Sequence, residues 1–166
     1  MSLVDTERPR SNPLDLVEQL ATINEWSFER GEDNEIMIVV VGKWTDYSVN
    51  YKWMPDIETL HLGCGFDMKI PDLRKREEVR RLISYINERL WVGHFDLWVD
   101  DGLILFRQAL VLTGGVVATD TQCEALLGHG LAACERYFVA FQFVVWAGKS
   151  AQDAMQAASF DTVGEA

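Results

Sequence analysis

The imidazole and thiol side chains of this chain that could ligate a metal are three histidines and three cysteines. His61 and Cys64 lie three positions apart on a predicted strand, where an odd spacing places side chains on opposite faces. His94 and His129 have no potential ligand at helical spacing, and protein metal sites need clustered ligands. Neither CxxC nor HExxH occurs in the sequence. We therefore predict no metal and no cofactor.

Two further features could suggest catalysis. Cys64 stands between Gly63 and Gly65 like an accessible nucleophile, but its place in an alternating apolar segment predicts a small buried residue. Asp100 and Asp101 could form a carboxylate pair, yet a predicted hairpin tip is solvated and lacks the cleft that tunes such pairs. No GxSxG motif is present. We predict that the chain has no catalytic residues.

The tripeptide Gly148-Lys149-Ser150 resembles the end of a phosphate-binding loop. The complete motif requires a glycine five positions earlier, where this chain has Phe143. A helix end followed by the N-cap of a new helix explains these residues better.

The cysteines indicate reduced thiols. Cys123 and Cys134 are eleven positions apart on one predicted helix, about 16 Å along its axis, which is too far for a disulfide. An odd cysteine count and a polar N-terminal segment without a signal-peptide core predict a cytoplasmic protein. The longest apolar run, residues 137–147, is shorter than the roughly 20 residues that cross a bilayer.

The net charge of −11 argues against nucleic acid and anionic membranes as partners. Residues 74–81 contain a cluster of five basic side chains. Glu77 and Glu78 alternate with these cations at i+3 and i+4, so we expect an ion-paired helix face rather than an anion-binding surface.

The first half of the chain predicts a helix followed by a meander. Asn12 can cap a helix that ends near Asn24, and strands are predicted over residues 26–30, 36–41, 45–54 and 60–68. The second of these is apolar on both faces, which predicts a central strand covered on both sides. The third alternates cleanly, with one face formed by Tyr47, Val49, Tyr51 and Trp53.

The second half predicts three helices and a hairpin. A helix begins at Pro71-Asp72 and reaches about Leu90, and strands over 95–99 and 103–110 enclose an Asp-Gly turn. A capping box, either Thr119 with Gln122 or Thr121 with Glu124, begins a third helix that reaches about Tyr137. Its buried stripe is predicted to be Cys123, Leu127, Leu131 and Cys134. Residues 137–147 alternate like a strand, but their length favours a buried helix. Ser150 with Asp153 caps a last helix over 151–158.

These elements predict an α+β fold in the order α-β-β-β-(β)-α-β-β-α-α. An antiparallel sheet of five to six strands, a meander plus a hairpin, packs with the helices. One domain is expected over residues 13–160, between a flexible N-terminal tail (residues 1–12) and a C-terminal tail (residues 161–166).

Several segments resemble the YbjN-like family of bacterial sensory transduction regulators: FDLW at 95–98, GLILFR at 102–107, CERY at 134–137 and FQFVVWAGKS at 141–150. The resemblance extends roughly over residues 14–160. It implies a bacterial cytoplasmic protein with a fold similar to that of type III secretion chaperones, whose element order matches the one above. The minimal chaperone fold does not require residues 137–158, and the family supplies no catalytic or binding residues.

We interpret the chain as a non-enzymatic protein-binding module, a regulator or chaperone-like adaptor that acts on an unidentified protein partner. The alternative is a small-molecule-binding domain or an unrecognised enzyme with a pocket between the sheet and the second or third helix. Exposed Tyr47, Tyr51 or Trp53 beside polar groups would favour that alternative. A flat apolar surface would favour protein binding.

A homodimer is also expected. On the second helix Leu82 and Tyr85 widen an apolar stripe that already covers the sheet through Val79, Ile83, Ile86 and Leu90. Chaperones of the similar fold dimerise largely through this helix, so Leu82→Asp should leave a folded monomer, whereas Ile86→Asp should destabilise the fold. Three residues of the apolar C-terminal segment are the next candidates for this surface: Phe141, Phe143 and Trp146.

Overall fold

The computed structural model describes residues 11–70 and 72–163. Pro71 lies outside it, as do residues 1–10 of the predicted N-terminal tail (1–12) and residues 164–166 of the predicted C-terminal tail (161–166). The chain begins with helix α1 (Leu14–Ile23). The Asn12 side chain accepts a hydrogen bond from the backbone N–H of Leu14 at 3.0 Å, as expected for a residue that starts a helix. Arg30 binds the carboxylates of Asp15 and Glu18 at 2.8 and 2.7 Å and so links α1 to the first strand.

The sheet has six antiparallel strands in the order β1-β2-β3-β4-β6-β5. Their bounds are β1 Ser27–Arg30, β2 Glu35–Val41, β3 Asp46–Met54, β4 Thr59–Lys69, β5 His94–Trp98 and β6 Leu103–Val111. A short 3-10 turn, Pro55–Ile57, joins β3 to β4. Gly102 takes a φ of +64° at the tip of the β5–β6 hairpin, as the Asp-Gly step predicts.

Three more helices complete the α+β order that the sequence predicts: α2 (Leu73–Asn87), α3 (Asp120–Val145) and α4 (Ala151–Val163). Thr119 and Gln122 form a reciprocal capping box at the start of α3. The Ser150 hydroxyl accepts the N–H of Asp153 at 3.2 Å near the start of α4. Helix α4 extends three residues into the predicted C-terminal tail.

Helices α1, α2 and α3 pack against one face of the sheet, the inner face. Alternate residues of every long strand are buried there, including Tyr47, Val49, Tyr51 and Trp53 of β3. The Tyr51 hydroxyl donates to the carbonyl of Cys123 in α3 at 3.2 Å. The sheet and α3 therefore share one core.

The prediction that β2 is covered on both sides is wrong. Ile36, Ile38 and Val40 are buried on the inner face, whereas Met37 and Val39 are 42% and 40% exposed. Val41, on the same side as Met37 and Val39, is 80% exposed. An apolar sequence cannot by itself show whether a second layer exists, because that layer must come from elsewhere in the fold.

Helix α3 is one continuous element of 26 residues, so the helix predicted to end near Tyr137 in fact continues to Val145. Tyr137 and Phe141 are buried and pack on Phe95 with ring centroids 6.1 and 5.3 Å apart. The alternation of aromatic residues near the end of α3 therefore belongs to a largely buried helix and not to a strand. Of the predicted stripe on α3, Cys123, Leu127 and Cys134 are buried, and Leu131 is partly buried.

Helix α4 packs against α2 and α3. The Glu78 carboxylate of α2 accepts the N–H of Ala151 at 2.9 Å, and Lys75 donates to the carbonyl of Val145 at 2.7 Å. Leu82 follows Glu78 by four positions and precedes Tyr85 by three, so the three residues share one face of α2. This is the face that α4 contacts, since Glu78 binds Ala151 there. Leu82 has no exposed surface.

Candidate protein-binding surface

The face of the sheet opposite the helices, here called the open face, is formed by the remaining alternate residues of the strands. Its members on β2, β3 and β4 include Glu35, Met37, Val39, Val41, Asp46, Ser48, Asn50, Lys52, His61, Gly63 and Gly65. Its members on β6 and β5 are Leu105, Arg107, Ala109, His94, Asp96 and Trp98. These residues are exposed or half-buried, in contrast to their buried neighbours on the inner face.

The centre of the open face contains two glycines. Gly63 and Gly65 of β4 have no side chains and lie between Ser48 and Asn50 of β3 on one side and β6 on the other. A Cβ added at Gly63 would meet the Leu105 side chain at an ordinary contact distance of 3.6 Å. A side chain would therefore fit at Gly63, and crowding does not explain the glycine. Glycine in a strand often marks a place where another molecule approaches the backbone closely, and these two leave space that a partner's side chains could fill.

On the open face, β2 carries a row of apolar side chains whose paired neighbours on β1 and β3 are polar. Met37, Val39 and Val41 project from β2, and β1 pairs with β2 only as far as Val39. Trp44 in the following turn is 46% exposed. Apolar side chains grouped on one face in this way are typical of surfaces that contact another protein.

A polar cluster lies on the other side of the open face. Arg107 donates from Nε to His61 Nε2 at 3.2 Å and from Nη1 to Asp96 at 3.4 Å. Burial lowers the pKa of His61, and its electrostatic interactions with Arg107 and His94 lower it further. His61 is thus held neutral as a hydrogen-bond acceptor. The spacing of His61 and Cys64 predicted that they lie on opposite faces of the sheet. The structure confirms this, since His61 lies on the open face and Cys64 is buried on the inner face.

The structure corrects two of the five residues predicted to form a dimer or partner surface. Leu82 and Phe141 are completely buried in the core of their own chain, so neither can contact a partner. Tyr85 and Trp146 are 41% and 61% exposed, and Phe143 is partly buried. Tyr85 lines an open cleft between α2 and α4, and the open face lies on the other side of the sheet. Sequence analysis missed the open face, although the two-sided apolar pattern of β2 was a signal of it.

The aromatic residues that would have favoured a small-molecule pocket on the inner face are buried. Tyr47 and Tyr51 have no exposed surface, and Trp53 is 8% exposed. The described part of the chain contains no group of three or more His, Cys, Asp or Glu residues that could hold a metal ion. Among the same residues, no helix is long and apolar enough to span a membrane.

The basic cluster on α2 is largely engaged by the chain itself. Arg80 and Arg81 pair with Glu77 and Glu78 at 3.4 and 3.1 Å, as the sequence predicts. Arg76 donates to the carbonyls of Ile70 and Val99 at 2.7 and 2.6 Å and so joins α2 to the strands. These cations therefore have structural roles.

Cys64 and Cys134 meet in the core, with their Sγ atoms 3.6 Å apart and both side chains reduced. Sequence analysis considered Cys134 only as a partner for Cys123. It did not predict the contact with Cys64, because the two residues are 70 positions apart and meet only through the packing of β4 on α3.

The six-stranded antiparallel sheet with helices on one face is an α+β fold, as predicted. The chain belongs to the YbjN family, described as "putative bacterial sensory transduction regulator", whose profile matches residues 13–143. Helix α4 lies beyond that match.

The chain is similar to the solved HopA1-SchA chaperone-effector complex, with 12% identity, a TM-score of 0.50 and coverage of 78% of this chain and 95% of that chain. It is also similar to the ExsC-ExsE complex, with 16% identity, a TM-score of 0.49 and coverage of 76% and 93%. At 12% sequence identity, the similarity to the HopA1-SchA complex is evidence for a shared fold alone. Comparison with curated proteins finds no match.

Proposed function

We propose that this chain is a non-enzymatic bacterial cytoplasmic regulator or chaperone-like adaptor that binds another protein through the open face of its sheet. One observation carries the proposal: β2 is apolar on both sides, and the described part of the chain covers only its inner side. Burying Met37, Val39 and Val41 against a partner would stabilise a complex by roughly 25 cal/mol for each Å² of apolar surface removed from water.

The family and the fold support the same role. Membership in the YbjN family is consistent with regulation through protein contacts, and the chaperone of the HopA1-SchA complex shares the fold and binds an effector protein. The glycine-lined centre of the open face leaves room for side chains of a partner protein.

The test is affinity capture from bacterial cytosol followed by mass spectrometry, with the unmodified chain and two variants as bait. Val39→Lys places a charge in the open face without disturbing the core. Val117→Lys is the matched control, since Val117 is 62% exposed in the loop before α3. The proposal expects one partner to be recovered by the unmodified chain and by Val117→Lys, and lost with Val39→Lys. Equal recovery by all three baits would contradict it.

Homodimerisation is a separate part of the proposal. With Leu82 and Phe141 buried, the residues that could form the dimer contact are Tyr85, Phe143 and Trp146. Trp146 packs edge-on against Phe138, with ring centroids 6.3 Å apart, and keeps most of its surface exposed. A dimer through these residues would leave the open face available to a second protein.

A further inference from the structure

Strand β6 is longer than its edge neighbour β5. His94, the first residue of β5, pairs with Arg107, and β5 then follows β6 from Arg107 back to Leu103. The last four residues of β6, 108–111, pair with β4 on one side and have no strand among the described residues on the other. Backbone groups at such an edge can accept an added strand.

The chain turns away at the point where β5 could have continued. Gly93 has a φ of +69°, and a side chain there would collide with the Phe106 ring, so this sharp turn requires glycine. The residues before it leave the sheet, and Trp91 is 99% exposed. A cleft remains beside the end of β6, lined by His61, Trp91, His94, Arg107 and Ala109 among others.

The direction of an added strand follows from the register. A strand antiparallel to β6 along residues 108–111 would run in the same direction as β5 and end where β5 begins. His94 already occupies the next position, so an internal segment would have to leave the sheet at that point. A chain that ends there would not.

The hydrogen-bond donors at this position suit a chain end. The cross-strand pair His94 and Arg107 stands on the open face at the junction between β5 and the vacant edge. The bonds from Arg107 to His61 and Asp96 engage two of the five N–H donors of a guanidinium. Arginine binds carboxylates through such paired donors. Arg107 is already paired with the Asp96 carboxylate at 3.4 Å, so a chain end would be bound by the remaining donors of the guanidinium.

We propose that the vacant edge of β6 binds the C-terminal tail of a partner protein as a short antiparallel strand, with its terminal carboxylate at Arg107 and His94. Exposed Trp91 would cover the tail. The inference rests on the proposed function and refines it, because the tail would enter at one end of the open face. A second copy of this chain is a poorer occupant, since the residues that could form the dimer contact, Tyr85, Phe143 and Trp146, lie on the helices or at the end of one and not on this strand edge.

The test uses two pools of N-acetylated pentapeptides, rich in β-branched and aromatic residues, that differ only in ending as a free acid or as a carboxamide. Each pool is added at about 1 mM to the ¹⁵N-labelled full chain, a concentration that reveals even weak binding. The acid pool should shift the Trp91 indole and the amides of residues 108–111. The carboxamide pool should bind about tenfold more weakly, the value of one charge-assisted hydrogen bond.

Arg107→Gln should reduce binding of the acid pool to the level of the carboxamide pool, whereas Arg81→Gln on α2 should not. Trp91→Ala, which alters a fully exposed side chain and leaves the fold intact, should weaken both pools. The absence of shifts at residues 108–111, equal binding of both pools, or full binding by Arg107→Gln would overturn the inference. If a captured partner depends on Val39 but not on Arg107, the proposed function stands and the tail site is wrong.

Discussion

The carboxylate of Glu135 in α3 accepts a hydrogen bond from the backbone N–H of Lys43 at 2.6 Å, across 92 residues of sequence. The bond holds the turn between β2 and β3, which borders the apolar row of β2 on the open face. Burial, together with the charge of Glu135, raises the pKa of Tyr47. A Cβ at Gly42 would collide with Tyr47 and Glu135. The turn is therefore built around a half-buried carboxylate that requires glycine beside it.

Gly42→Ala should destabilise the chain by about 1–3 kcal/mol, because the added methyl group overpacks this turn. Gly128→Ala on α3 is the matched control, since nothing lies within 4 Å of its added Cβ. The control should be neutral or more stable by up to about 1 kcal/mol, because alanine favours helix. Urea unfolding of both variants measures the difference. Equal stabilities would show that the turn tolerates a side chain.

Glu135→Ala should cost about 1–3 kcal/mol, because it removes the carboxylate that accepts the N–H of Lys43. Thermal and urea unfolding measure the change, and Glu124→Ala, at an exposed position on the same helix, is the control. A Glu135 variant as stable as this control would mean that the turn does not depend on the bond.

Three thiols should react with a thiol reagent in the denatured, unreduced protein, and far more slowly in the native protein. All three cysteines are buried, burial raises the pKa of Cys123 to about 11, and the hydrogen bond to Cys64, with burial, raises the pKa of Cys134. Each shift lowers the reactive thiolate fraction. A denatured count of one thiol would reveal a disulfide, and Cys64 and Cys134 would then be the pair to examine by peptide mapping.

Leu82→Asp should unfold or severely destabilise the chain, by more than about 3 kcal/mol, because it buries an unpaired charge. This reverses the expectation drawn from the sequence. Tyr85→Asp, at a partly exposed position on the same helix, should remain folded by circular dichroism. If the homodimer uses this edge of α2, light scattering at about 100 μM should give a dimer for the unmodified chain and a monomer for Tyr85→Asp. A Tyr85→Asp dimer would place the interface elsewhere.

His61 should make the fold less stable as the pH falls. Its folded pKa lies below its ordinary value, so the unfolded chain binds the proton more readily. The stability due to neutral His61 is complete above the ordinary pKa of about 6.5 and is lost as the pH falls from there through the folded pKa. His61→Gln should therefore lose less stability than the unmodified chain between about pH 7 and pH 5. Parallel stability curves for the two proteins would contradict this.

The order of elements could be predicted because it depends on local signals. The Thr119 capping box, the glycine at Gly102 and the alternation in β3 each specify their own segment. The fates of Val39 and Leu82 could not be predicted in this way, because burial depends on which distant element lies opposite. None of the described helices lies over Val39, whereas α4 packs against the side of α2 that carries Leu82.

The candidate site depends on such long-range pairings throughout. The contact of Arg107 with His61 links residues 46 positions apart, and no spacing in the sequence indicates it. The vacant edge of β6 likewise results from β5 beginning only at His94, and strand ends are set by the register between strands. The two-sided apolar pattern of β2 was the part of the site that the sequence could indicate, since it is a sign of a partner layer.

Hydroxyl-radical footprinting of the chain with its captured partner tests the central claim most directly. Met37 lies on the open face and is 42% exposed, so its oxidation reports on that surface. Leu73, which is 75% exposed at the start of α2 on the helical side of the sheet, is the control within the same molecule. If the partner covers the open face, oxidation of Met37 should fall several-fold in the complex while that of Leu73 stays unchanged. Oxidation of Met37 at the same rate in the complex and in the free chain would contradict the account.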